Sequence, residues 1–428
     1  MRDIQKLIFA LIILRPLMDI LVAVDINFMG ITINIAQIWG IAFIFISLSY
    51  IFLHKINIVK TKMHRSLLFL FIISLFPLFF YSESISYGFI KLSKWAVWIL
   101  GFSVFYDLFR DKENVHKFST IITNMVWFVI LLYYLSFFIS RYLGYNIFLE
   151  SELAGYSYTK YKLGFKGIFY GAHSLSFLAI FLIILIFIKC YFLDLHFTRT
   201  SMIQIVLLMI IVFSVLARTG ILCLLVLLFF LFKENRKYAF IMALAILLFA
   251  KYYNAEDIVQ RRLLREYYRA QSTGTQLDTN ALGSGRVGMA RAVLRYYSEQ
   301  NLLKKLLGSG FDADLVATET YFVRRGSHND LLDFLLNTGL VSLIIYLAFL
   351  VRLIRTINFY SRKLDKKRKN FIYGIYGSML ILMIFQGISM TIHMFYFILM
   401  NVFLVWSLYY FQNGNIKNNE EKIIPAIF

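Results

Sequence analysis

The chain has 428 residues, of which 60% are apolar, 18% aromatic and only 16% charged. An ordinary soluble domain, with about a quarter of its residues charged, is excluded, and so is a disordered chain, which is poor in apolar residues. Three prolines and two cysteines exclude collagen-like and disulfide-framework chains, leaving an all-α polytopic membrane protein whose net charge of +20 needs an explanation.

A spanning helix needs roughly 20 apolar residues. Twelve segments qualify: 5–24, 33–53, 66–82, 86–106, 118–140, 169–189, 200–217, 219–233, 238–253, 332–354, 371–390 and 393–411. The first carries Arg15, Pro16 and Asp19, and no small-residue cleavage site follows, so it reads as a retained helix. Arg15 and Asp19 stand four residues apart and are expected to pair as structure. Cys190 and Cys223 lie in apolar runs and read as small packed hydrophobes.

Residues 200–233 form one apolar run broken only near Arg218, Thr219 and Gly220. Cytoplasmic loops collect Lys and Arg. With both termini inside, the runs at 55–65, 233–237 and 352–369 all face inward, but only if residues 200–233 make two spans. Topology therefore predicts a hairpin with Arg218 at the outer face. The expected organisation is spans 1–9 in residues 1–253 and a large extracytoplasmic loop with amphipathic helices at 254–331. Spans 10–12 follow in 332–411, then a cytoplasmic tail at 412–428. Two loop segments, 254–271 and 284–300, read as amphipathic helices.

Several outer-face constellations could carry chemistry. Arg218 between two apolar helices is costly unless it meets water or an anion. It either snorkels to headgroups or clamps a phosphate. Ser284-Gly285-Arg286 opens a helix, with Ser284 able to cap it. Arg286 in a first turn gains nothing from the helix dipole, so a nearby anion would make sense of it; the plain alternative, favoured on this segment alone, is a solvated surface Arg. Ser327-His328-Asn329-Asp330 resembles a capping box, which would put His328 in the first turn of a helix entering the membrane. A helix N-terminus disfavours imidazolium, and a neutral His at a wet interface can act as a general base. The plain alternative is a His bonded to loop backbone. Lys160, Lys162 and Lys166, interleaved with tyrosines, precede His173 at the start of a span. They read as an aromatic belt with flanking cations, or as a sugar platform beside a polyphosphate. No two histidines have metal-ligand spacing. Asp312-Ala313-Asp314 is a D-x-D, read as a loop because nucleotide sugars are not expected outside the cell.

These motifs together resemble the O-antigen polymerase and O-antigen ligase superfamily. Ser284-Gly285-Arg286 followed by Leu307-Gly308-Ser309-Gly310-Phe311 resembles its SGR…GxGF pattern. Ser327-His328-Asn329 followed by Asn337-Thr338-Gly339-Leu340 resembles its SHN…GL pattern, and Ala217-Arg218-Thr219-Gly220 its SRTG turn, with Ala where Ser is common. Gly167 to Ser174 resembles a looser G-x-F element, with His173 where the family often has Asn. The resemblance implies a multi-pass protein of the bacterial cytoplasmic membrane that transfers glycan from a polyprenyl-diphosphate donor without metal or cofactor. It implies polyprenyl-diphosphate-linked glycans and membrane lipid as partners, with a chain-length regulator and a flippase beside them, and no nucleic acid. Carried over by motif, Arg218 and Arg286 would hold the diphosphate and His328 would act at the acceptor hydroxyl. Ser284, Asn329, Lys162, Lys166 and His173 would contact substrate, with Arg291, Arg295, Arg324 and Arg325 as second-rank candidates for the same contact. Polymerisation of repeat units into O-antigen or capsular polysaccharide is the first expectation, because Gly339 is followed by Leu340, Val341 and Ser342 rather than the stricter ligase pattern. Ligation of finished glycan is the second. A glycan-lipid flippase is the third, and the clustering of charge at the outer face speaks against it.

Overall fold

The computed structural model describes residues 2–21, 25–28, 31–56, 61–143, 167–169, 171–215, 217–233, 286–322, 329–387, 391 and 393–413. Helix α1 (Arg2–Leu21) leads through strands β1 (Asp25–Phe28) and β2 (Ile31–Asn34) into α2 (Ile35–Leu53). Then come α3 (Lys62–Tyr81), α4 (Ile85–Leu108) and α5 (Lys112–Leu143). Helix α6 (Ala172–Ile188) runs on as a π-helical turn, Lys189–Leu193, before α7 (Arg199–Val215) and α8 (Arg218–Phe232). The later part holds α9 (Arg286–Glu299), α10 (Leu302–Leu307), α11 (Ala313–Tyr321) and α12 (Asp330–Asp333) with a π-helical turn, Phe334–Thr338. It closes with α13 (Gly339–Ser361), α14 (Lys366–Phe385) and α15 (His393–Asn413).

Among the described residues, seven helices are long and apolar enough to cross a membrane: α2 to α6, α12 joined to α13, and α15. Helices α7 and α8 are apolar but shorter, at 17 and 15 residues. They divide the 200–233 run between Val215 and Arg218. Helices α1 and α14 coincide with two more of the expected spans but carry charge, Arg15 and Asp19 in one and the run Lys366–Lys369 in the other. The expected ninth span, 238–253, and the expected amphipathic helix at 254–271 lie outside the described residues, as does the tail beyond 413. Between α1 and α2 the two strands form an antiparallel hairpin, with Asp25 opposite Asn34 and Phe28 opposite Ile31. β-branched Ile26, Thr32 and Ile33 favour that extended form. Asn34 then caps α2 in a reciprocal capping box with Gln37, at 2.8 and 2.9 Å.

Helices α6 and α15 form the centre. Every residue from His393 to Leu408 is buried, whereas α2 exposes Phe45 and Phe52 on an outward face suited to lipid. Rings from four helices lock the centre: Trp39 and Phe43 of α2 and Phe105 of α4 all meet Phe395 of α15 at centroid distances of 5.2 to 5.4 Å. Phe118 of α5 meets Phe403 at 4.9 Å. Edge-to-face pairs of this kind add about 0.5–1.5 kcal/mol each beyond burial. Helix α8 packs along α14, where Gly374, Gly377 and Ser378 let the backbones approach. Ser378 Oγ donates to the Cys223 carbonyl at 2.8 Å. Both cysteines are buried free thiols.

Two glycine turns, far apart in sequence, interlock beside this bundle. Gly308 (φ +101), Gly310 (φ +109) and Gly339 (φ +84) all take left-handed backbone that side chains rarely adopt. A Cβ on Gly308 would lie 2.4 Å from the Asn337 carbonyl, and one on Gly339 would lie 2.2 Å from the Leu306 carbonyl. Ser309 N donates to Leu336 O (2.8 Å) and Gly310 N to Asn337 O (3.2 Å). Those carbonyls are free because the π-helical turn leaves the α-helical ladder there. Replacing Gly339 with Ala is expected to lower stability by about 2 kcal/mol or more, from backbone strain plus the clash. A melting curve of the detergent-solubilised protein would reveal it, and an unchanged Tm would contradict the interlock.

Candidate functional site

The N-terminus of α8 presents Arg218. Its N-cap is Ala217, which offers no side-chain acceptor to the first turn. Donor N–H groups at such an end, together with the positive dipole, suit an anion. The site is tightly built below Arg218. A Cβ on Gly220 would come within 1.7 Å of Ser176 Oγ on α6, so only glycine allows this approach. Thr219 is buried, and among the described residues its hydroxyl has no hydrogen-bond partner.

Arg286 is the first residue of α9 and is half-buried. Its Nη2 donates to Gln386 Oε1 at 3.4 Å, at the end of α14. Burial, and next the charge of Arg218, lower its pKa from the ordinary value. Helix α8 runs along α14 with Cys223 beside Ser378, and Arg286 reaches Gln386 at the end of α14, so Arg218 and Arg286 lie within electrostatic range of one another. Guanidinium cannot escape by losing its proton. Two like charges in a half-buried place therefore favour an anion between them.

Arg286 owes its position to a small core. Val293 of α9 packs with Ala313 and Ala317 of α11 and with Leu336, flanked by Tyr296, Tyr297 and Leu332. Helix α11 is in turn tied to the membrane bundle by charge. Lys91 Nζ of α4 meets Asp314 Oδ1 at 3.0 Å, both buried. Asp312 Oδ2 accepts from Ser84 N at 2.8 Å, and Phe311 N donates to Ser82 Oγ at 2.9 Å. The D-x-D expected as a plain loop is therefore a structural anchor at the start of α11, its two carboxylates directed to different partners. The Lys91 link was invisible in the sequence, because its partner stands 223 residues away.

The remaining expected site residues fall into three groups. Ser284, Arg324, Arg325, His328, Lys162 and Lys166 lie outside the described residues. Asn329, Arg291 and Arg295 are described, and Asn329 and Arg295 have structural partners. Asn329 Oδ1 accepts from Leu331 N (2.9 Å) and Leu332 N (3.2 Å), so it caps α12. The helix expected to start from a Ser327 cap begins at Asp330 with Asn329 as its N-cap, which corrects the capping-box reading. The better cap is the residue whose side chain meets two backbone donors at once. Asp330 is fully buried and receives the Tyr346 hydroxyl at 3.3 Å. Arg291 and Arg295 are exposed, on the face of α9 away from its buried residues Gly288, Met289, Ala292 and Val293. Arg295 is held by Glu299 at 3.3 Å and lies 4.6 Å over the Tyr321 ring. The third group is His173, half-buried in the first turn of α6, with its ring 6.2 Å from Phe177.

Phe177 also meets His393 at 5.3 Å, which places His393 beside this end of α6. His393 is the buried first residue of α15, and Arg15 and Lys94 both act on it through space. Arg15 was expected to pair with Asp19, whose side chain lies outside the described residues. The guanidinium itself is buried against Trp39 and Tyr396, at 5.1 and 5.9 Å from the ring centroids. Such contacts offset part of the cost of a cation in an apolar interior. Lys91, Lys94 and His393 are additions that sequence reasoning missed. The only signal was a charged residue inside a span, which is a site marker by default.

No protein-family model matches the chain, and no curated protein matches it. Among the described residues, no group of three or more His, Cys, Asp or Glu is arranged to hold a metal. The cation-rich helix ends can bind an anion and stabilise charge developing on it. The Lys91–Asp314 tie is open to a direct test. Lys91→Met should cost about 3–5 kcal/mol by leaving Asp314 buried without its cation. The double variant Lys91→Met/Asp314→Leu should recover much of that stability. Additive losses in a double-mutant cycle of Tm values would refute the coupling.

Proposed function

We propose that the protein is a metal-independent glycosyltransferase of the bacterial cytoplasmic membrane, a polymerase of polyprenyl-diphosphate-linked repeat units. In this reading the chain has twelve spans with both termini in the cytoplasm, and the 254–331 loop lies on the outer side. The observation that carries the reading is the placement of two half-buried arginines, Arg218 at the head of α8 and Arg286 at the head of α9, within electrostatic range of one another beside the end of α14. The four motif resemblances support it further, and the interlocked glycines give two of those motifs a physical reason to occur together.

The chemistry follows from the donor class. Outside the cell the sugar must arrive already activated, and a lipid diphosphate is an activated leaving group. An acceptor sugar hydroxyl attacks the anomeric carbon of the donor. The new glycosidic bond forms as the bond to the diphosphate oxygen breaks. The polyprenyl diphosphate leaves with the electron pair, and Arg218 and Arg286 take up the developing charge. The hydroxyl proton passes to the His328 imidazole, acting as general base.

Arg218→Ala, Arg286→Ala and His328→Ala are each expected to leave the protein membrane-inserted. Each arginine change should slow extension by about 10²–10³-fold, as single oxyanion-hole donors do. The measurement is surface glycan resolved by length, in cells lacking the native gene and carrying each variant. Wild-type chain lengths in Arg286→Ala would sink the role. In the deletion strain, a single repeat on the normal acceptor supports polymerase, and long chains stranded on the carrier lipid indicate ligase instead.

A further inference from the structure

An open cavity of about 540 Å³ lies at the opposite, basic side of the molecule, between the end of α6 and the start of α14. Its composition divides in two. Tyr191, Leu195 and Phe197 give an apolar floor, and Lys366, Lys367 and Arg368 give a cationic rim. We propose that this cavity is a binding site for one anionic phospholipid, with the headgroup phosphate on the rim and an acyl chain along the floor.

The floor is built by an irregular end of a central helix. The π-helical turn Lys189–Leu193 closes α6, with Asp194 N donating to Lys189 O at 3.0 Å. The chain then turns back through Leu195, whose φ of +61 is rare for a side-chain-bearing residue. That turn leaves Leu195 exposed while Phe197 packs on Tyr191, ring to ring at 5.2 Å. The rim is fixed to the floor by Arg368. Its Nε donates to the Tyr191 carbonyl at 3.1 Å, and its guanidinium lies over Phe411 at 4.8 Å. Asp365 binds Arg368 through its carboxylate and caps α14 by accepting from Arg368 N at 2.8 Å. Lys367 stands over the Tyr191 ring at 5.6 Å, at the edge of the cavity.

Charge selects the occupant. Residues 362–369 carry six cations and one carboxylate, and that carboxylate is taken by Arg368. A soluble anion would use the rim but leave the apolar floor facing water. A zwitterionic lipid would use the floor but gain little from the rim. An anionic phospholipid satisfies both, as basic pockets between membrane helices do on the cytoplasmic side. The general inward bias of Lys and Arg explains a basic loop, but not an apolar cavity beneath it.

The test is native mass spectrometry of the full-length protein in detergent, titrated with phosphatidylglycerol. One saturable lipid is expected, with phosphatidylcholine bound far more weakly. Lys366→Gln/Lys367→Gln should weaken retention about thirtyfold. Arg362→Gln/Lys363→Gln removes the same charge from the same loop outside the cavity lining, and should change retention less than threefold. Equal losses in the two double variants would mean diffuse attraction and overturn the site. Equal binding of phosphatidylcholine would also overturn it. So would competition by inorganic phosphate or by the glycerophosphoglycerol headgroup at the affinity of the intact lipid. A melting curve for each variant separates lost binding from lost fold.

Discussion

The turn at Gly308–Gly310 and the turn at Gly339 are built against each other, and the placement of α9 to α11 depends on that contact. Each brings backbone to within the distance a side chain would fill, at dihedral angles that glycine alone adopts freely. The interlock holds α10 and α11 against the π-helical turn that precedes α13. Helix α11 then supplies Ala313 and Ala317 to a small core that seats α9. Arg286 heads α9, so its approach to Gln386 and Arg218 traces back to three residues without side chains.

Charge is the second organising constraint. An apolar interior tolerates ions only when they are matched or put to use. Lys91 and Asp314 are matched, and the match joins α4 to α11. Arg15 is spread over two aromatic faces. Arg218 and Arg286 differ in that the charge of one bears on the other, and Arg286 donates to a neutral amide, that of Gln386. The two ends of the molecule use cations differently as well. One end gathers a few at helix N-termini, and the other carries a dense run along a loop and the start of α14.

Much of the helical layout was legible from hydropathy, since spans must be long and apolar. The division of the 200–233 run was legible from charge, because a single Arg-Thr-Gly interruption and the distribution of Lys and Arg both asked for it. The glycine motifs were legible as motifs but not as partners. Nothing local says that Gly308 will meet residues 337 and 338. The cap of α12 was misassigned because Ser327 and Asn329 are both good caps, and only the observed helix start chooses between them. The hairpin at Asp25–Asn34 was hidden in a segment too short for periodicity to register.

The amino-acid order by itself determined a multi-pass, apolar, helix-rich chain with a basic side, because lipid demands satisfied backbone and topology sorts Lys and Arg. It also marked the residues that cost energy where they stand: Arg15, Arg218, Arg286 and the glycines. Only the tertiary structure decided what each of those residues meets. Lys91 found Asp314 across 223 residues, and Arg15 found Trp39 and Tyr396. Arg286 was brought instead to Gln386 and within electrostatic range of a second arginine, because the packing of α9 on α11 fixes its helix.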